Sequence, residues 1–228
     1  MITLRRSHER GQGQFDWLHT KHSFSFANYY DPRYMGVSAL RVINDDWIKP
    51  GTGFDTHPHR DMEIISYILE GSIEHKDTMD VHTTLKAGEV QVMSAGSGIF
   101  HSEFNPSDTE ELNLLQIWIQ PNKQAVTPRY AQKDYSDAKG ITLIVSADGR
   151  DGSLPIQQQA SLYKLALARQ ATTFATTKER TYYLHAARGA LDINGTRLEA
   201  GDGATIVDEP FLNIEALDQA EGLLFELP

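Results

Sequence analysis

The sequence predicts an all-β protein made of two small β-barrels in tandem. Short β-rich runs recur between Gly, Pro, Asn and Asp punctuation, and no long stretch sustains a helical period. In addition, two segments of the first half recur in the same order in the second half. The clearest strands are expected at 64–69, 89–93, 112–119, 141–145, 182–184 and 223–227. The stretch 121–140 is polar and holds Pro121 and Pro128, so the boundary is expected there, with domains at 1–125 and 126–228. Leu191 to Leu198 reads as a tight hairpin, because Asn194-Gly195 supplies the positive φ angles of a type I′ turn. That turn sets Leu191 opposite Leu198 and Ile193 opposite Thr196, with Asp192 and Arg197 on the other face. The repeat lays 64–71 (IISYILEG) on 182–189 (YYLHAARG), and 85–89 (LKAGE) on 198–202 (LEAGD).

Composition narrows the chemistry. The chain has 228 residues, with 21 Lys plus Arg against 31 Asp plus Glu, a net charge of −10 and no basic patch. Direct nucleic-acid binding is disfavoured on that balance. Apolar runs such as 165–168 fall far short of the roughly 20 residues that span a bilayer, so no membrane partner is expected. The N-terminus carries charge and no apolar signal core, which makes the cytoplasm the expected compartment. There is no cysteine, so any metal has to be held by His, Asp or Glu.

Two short segments carry such ligands. In His57-Pro58-His59, strand periodicity aims both rings the same way, and Pro58 suits an edge strand or a strand entrance. Alone, this pair reads more readily as two solvated or structural histidines than as a metal site. His101-Ser102-Glu103 repeats the spacing after a Gly-rich turn. On neighbouring antiparallel strands the two pairs would bring three imidazole nitrogens and one carboxylate oxygen to a single divalent ion. The alternative is a hydrogen-bonded polar strand pair. The repeat sends these four positions to Ala175, Thr177, Ile214 and Ala216, so the second barrel is expected to hold no metal and to buttress or cover the first. Other histidines read as structural: His75 and His82 as exposed strand or turn residues, His19 and His22 as surface or interdomain packing, His185 as packing. Phe24, Phe26, Tyr29 and Tyr30 read as core aromatics, with pocket lining as the alternative.

His57-Pro-His59-Arg-Asp-Met-Glu63, taken with Gly96-Ser-Gly-Ile-Phe-His101-Ser-Glu103, resembles the pirin family of bicupins. The run 22–26, the segment 39–46 and the run 127–130 resemble bacterial members with quercetin dioxygenase activity, so the likeness spans most of the chain. It implies a cupin fold in both halves and one metal in the first, held by His57, His59, His101 and Glu103. Many cupins use the Glu of the first motif as a ligand; here that residue is Glu63, which the pirin resemblance leaves as a supporting or structural group. Seven residues separate Glu63 from Gly71 where cupins usually have six, and Ser94 stands where proline is usual. The ion implied is Fe, although a shell of this composition also accepts Mn, Co, Ni, Cu or Zn. The activity implied is opening of a flavonol's central ring by O2 with release of CO, with Glu103 accepting the 3-hydroxyl proton. Two other classes fit the same residues: a redox- or metal-sensing regulatory bicupin that binds a protein, and a non-oxidative metal-cupin enzyme. The expected partners are a flavonol-like small molecule and O2, and the expected state is a monomer.

Overall fold

Residues 63–70 read EIISYILE, an almost unbroken apolar run, because the strand they form is covered on both faces. The computed structural model describes residues 1–228 and orders the chain as follows. The first strands are Ile2–Arg5 (β1), Gly11–Gln14 (β2), Leu18–His22 (β3), Leu40–Ile48 (β4), Gly53–His59 (β5), Glu63–Glu70 (β6) and Ser72–Asp77 (β7). Then come His82–Lys86 (β8), Glu89–Ser94 (β9), Ile99–Phe104 (β10), Leu112–Ile119 (β11), Arg129–Asp134 (β12) and Gly140–Ser146 (β13). The last are Leu154–Pro155 (β14), Ser161–Ala175 (β15), Thr181–Arg188 (β16), Leu191–Ile193 (β17), Thr196–Leu198 (β18), Gly203–Ile206 (β19) and Phe211–Leu227 (β20). The protein is all-β, with two cupin domains. No helix is long and apolar enough to cross a membrane.

In the first half a seven-stranded sheet, β12-β9-β6-β11-β4-β3-β2, packs on a four-stranded one, β5-β10-β7-β8. In the second half eight strands, β13 to β20, form one continuous hydrogen-bonded set that β1 joins as the ninth. There β15 and β20 are long enough to serve both layers, because a bulge between Ala168 and Gln170, with Arg169 at φ 47°, breaks their ladder midway. The hairpin β17–β18 has the expected register, with Asn194 at φ 48° and Gly195 at φ 80°. The internal repeat is visible in the backbone too. Gly71 and Gly189 both follow the repeated strand with positive φ, and a Cβ on either would strike a carbonyl oxygen of the opposing chain, that of Glu111 or of Gln219.

Alternation along β6 assigns its two faces. Ile65, Tyr67 and Leu69 point into the largest apolar cluster, which also takes Leu115 and Ile117 from β11 and Tyr183, Leu223 and Phe225 from the second half. Ile64, Ser66 and Ile68 point into the first barrel. The two halves are therefore glued by hydrocarbon, and β6 is buried from both sides. Two strands cross the boundary expected at 125/126: β1 pairs with β19 of the second half, and β12 pairs with β9 of the first. The strand β12 (RYAQKD) carries no apolar run, which is why the sequence reads as a linker there.

Candidate metal centre

β5 is the edge strand of the four-stranded sheet, where the missing N–H of Pro58 interrupts no inner ladder. β10 runs antiparallel beside it and sets His101 opposite His57 and Ile99 opposite His59. The ring centroids of His57 and His101 are 4.5 Å apart, those of His57 and His59 4.8 Å, and those of His59 and His101 4.9 Å. One nitrogen from each of the three rings lies within 4.8 Å of the others. His101 belongs to a second group of the same compactness with His75 and Glu103.

The protonation of these rings suits a cation. His57 Nδ1 lies 2.7 Å from the carbonyl oxygen of Asp55, which can only accept, so Nδ1 carries the proton and Nε2 is bare. Burial pushes His59 down to about 4 and His101 down to about 3, helped by the neighbouring imidazoles, so both are neutral at pH 7 with lone pairs available. His101 is buried, and neither of its ring nitrogens has a hydrogen-bond partner. Leaving such atoms unpaired costs about 1–3 kcal/mol each, and a coordinated cation relieves that cost. The donor set fits a divalent ion.

Glu103 is buried at the back of this group and held by three donors. Ser66 Oγ (3.0 Å) and Gln91 Nε2 (2.7 Å) donate to Oε1, and Gln116 Nε2 (2.8 Å) donates to Oε2. The three donors occupy a single row across the sheet, since Gln91 pairs with Ser66 and Ser66 with Gln116. The row continues from Gln116 to Asn44 on β4 and from Asn44 to His22 on β3.

The second half provides an internal comparison. Its corresponding row runs Ala204, Leu184, Leu224 and Tyr163, paired in the same order across β19, β16, β20 and β15. The first three sit in an apolar core, with Tyr163 packed against it, where the first half has Gln, Ser, Gln and Asn. The positions laid on His101 and Glu103 are Ile214 and Ala216, as expected, and both are buried hydrocarbon. Ile214 pairs with Thr172, so the residue answering to His57 is Thr172, not Ala175. The loop after this strand is longer in the second half, which shifts the alignment there.

His75 departs from expectation. It is fully buried, its Nε2 lies 3.1 Å from Asp77 Oδ2, and its ring stacks on Tyr130 at 4.8 Å. β7 packs beside β10 with His75 opposite Glu103, a long-range pairing that no local spacing announces. His82 is exposed and paired with Glu74, as read. Glu63 makes no hydrogen bond to the four residues; it accepts from Ser94 Oγ (2.6 Å) and from the backbone N–H of Gln157 (3.0 Å) and so ties the two halves. His185 is fully buried, while His19 stacks on Trp47 at 5.2 Å.

A cavity of about 730 Å³ opens beside His57, His59 and Glu103. Phe26, Tyr29 and Trp118 supply much of its apolar lining, whereas Phe24 lies in the core and Tyr30 is exposed. Its sheet-side wall carries Thr20, His22, Asn44 and Asp46. Burial raises the Asp46 carboxyl to about 7, with Asp45 and Glu103 adding repulsion and a hydrogen bond from Thr20 opposing the shift. The sequence reading missed His22 and Asp46. The available signal was a polar residue at an inward-facing position of an otherwise buried strand.

A family model described as Pirin matches residues 3–119, and one described as the quercetinase C-terminal cupin domain matches residues 143–227. A protein of Escherichia coli (strain K12) named quercetin 2,3-dioxygenase is 49% identical over 229 residues, covering 100% of this chain and 99% of that one. A pirin-like protein of Caulobacter vibrioides is 43% identical over 231 residues, covering 99% of each. The crystal structure of the bacterial pirin YhhW from Escherichia coli in complex with nickel(II) matches with a TM-score of 0.97 and 49% identity, over 100% of this chain and 99% of that chain.

Proposed function

The chain belongs to the pirin family, and from that premise we propose that it is a metal-dependent dioxygenase that opens the central ring of a flavonol such as quercetin with release of CO. The observation that carries the reading is the buried His101, whose two nitrogens lack partners and which belongs both to the group with His57 and His59 and to the group with His75 and Glu103, next to an aromatic-lined cavity that His57, His59 and Glu103 line. In this reading His57, His59, His101 and Glu103 hold the ion, and iron is the ion proposed. The nickel(II) complex of the relative supports a site open to borderline divalent ions. When bound, the ion supplies the redox partner that lets triplet oxygen react with a closed-shell enolate.

The chain's own residues do the rest. Phe26, Tyr29 and Trp118 offer faces and edges against which a flat polyphenol packs, and their bulk excludes water from the reacting face. Glu103 accepts the 3-hydroxyl proton. An ionised carboxylate has about four acceptor sites. Ser66, Gln91 and Gln116 fill three, so one site on Oε2 is left that would be open to the ion or to the substrate proton. The same three donors hold the carboxylate in place.

The reading takes the protein as cytoplasmic, and as a monomer because the apolar cluster shared by the halves supplies within one chain the contact that single cupins make as dimers. Its test is an oxygen electrode combined with headspace analysis for CO, using quercetin and metal-loaded protein. Equimolar O2 uptake and CO release are expected. A loaded protein that binds quercetin and consumes no oxygen overturns the proposal and favours a non-oxidative enzyme or a sensor.

A further inference from the structure

The cavity wall on β3 and β4 is more polar than an aromatic ligand alone requires. Thr20 pairs with Asp46 and His22 with Asn44 across the two strands, and all four line the cavity. Burying a carboxyl and an imidazole against an empty or apolar space is costly unless something polar meets them. His22 Nδ1 lies 2.7 Å from Asn44 Oδ1, an acceptor, so the proton sits on Nδ1. Burial keeps this ring neutral, with Arg10 adding to the effect. Nε2 is then a bare acceptor, and it makes no hydrogen bond within the protein. The Asp46 carboxyl has Thr20 as its only side-chain partner. Along the polar row Gln116 touches Glu103, Asn44 is one strand further and His22 two, a reach of about 10 Å at ordinary strand spacing.

We propose that His22 and Asp46 determine specificity by accepting hydrogen bonds from the hydroxyl groups on a flavonol's pendant phenyl ring, so that the substrate class is the ring-hydroxylated flavonols. The assignment rests on the flavonol reading above and deepens it. With the 3-hydroxyl at Glu103, the pendant ring of a three-ring flavonol reaches across β11 and β4 to these two side chains. A ligand without those hydroxyls leaves an imidazole nitrogen and a carboxyl facing hydrocarbon, and discrimination by missing partners is the strong kind.

The experiment uses metal-loaded protein under argon, so that binding is measured without turnover. Wild type, His22→Phe and Asp46→Leu are titrated with three flavonols carrying two, one or no hydroxyls on the pendant ring, read by quenching of tryptophan fluorescence. Trp17 and Trp118 line the cavity and serve as reporters. In the wild type each hydroxyl removed is expected to weaken binding by about tenfold, the worth of one well-placed hydrogen bond. Each variant should lose one of the two tenfold steps, so that its series spans about tenfold where the wild type spans about a hundredfold, and should bind the bare flavonol at least as well as the wild type does. A wild-type series that is already flat, or variant series that both keep the full wild-type span, overturns the assignment. So does failure of all three ligands to bind. Repeating the wild-type measurements in air separates the two claims, because a steep binding series without oxygen uptake sinks the dioxygenase and leaves the recognition intact.

Discussion

Replacing His101 by Leu is expected to change stability in opposite directions with and without metal. In chelator, the variant should melt at the same temperature as the wild type or higher, because it removes two buried nitrogens that lack partners, each worth about 1–3 kcal/mol. With divalent ion at about a thousandfold excess over its dissociation constant, the wild type gains roughly 4 kcal/mol and the variant close to none. Turnover of quercetin should fall at least a hundredfold. The check is calorimetry of both proteins in chelator and in metal, beside elemental analysis of each. Equal metal content in the two proteins removes His101 from the site, and a variant much less stable in chelator makes the residue a packing element instead.

Asp46→Asn is expected to stabilise the protein increasingly as pH rises. The Asp46 carboxyl is raised to about 7 in the folded chain, chiefly by burial. In the unfolded chain it titrates near 3.9. Between those values the unfolded state gives up its proton and the folded state keeps it. Stability that the wild type has at pH 4 is therefore lost as pH climbs through 7, by at most about 1.4 kcal/mol per unit. The variant has no such group. Its advantage should be negligible near pH 4 and approach an upper bound of about 4 kcal/mol by pH 8. Urea unfolding of both proteins across that range measures the difference. A gap independent of pH would mean that the carboxyl is solvated and that Asp46 is not the buried, cavity-facing group described.

Much of the site was legible because its residues follow the simplest strand rule. His57 and His59 flank one residue, as do His101 and Glu103, and both pairs fall where a period of two keeps side chains on one face. The hairpin at 191–198 was legible for a similar reason, since Asn194-Gly195 has few other conformations open to it. What escaped is assembled across strands. Gln91, Ser66, Gln116, Asn44 and His22 stand on five different strands; the first three are polar residues among apolar neighbours, while Asn44 and His22 lie in the more polar runs INDDW and LHTKH. Their common row exists only once the sheet has formed. His75 escaped because β7 must pair with β10 before it faces Glu103. Glu63, one motif away, points instead to the second half. The edge strands β1 and β12 are short, half-polar and paired with the opposite half from the one their position suggests.

The pairing of β1 with β19 has one more effect. Ile2, Ile206, Tyr182 and Glu226 form a single line across four adjacent strands, so the chain's first and last strands begin and finish at the same rim, about 14 Å apart. A linker of some five extended residues would close the polypeptide into a loop there. The loop could then be cut at the exposed stretch around Lys123, between β11 and β12, giving a rearranged gene order in which the C-terminal half is translated first.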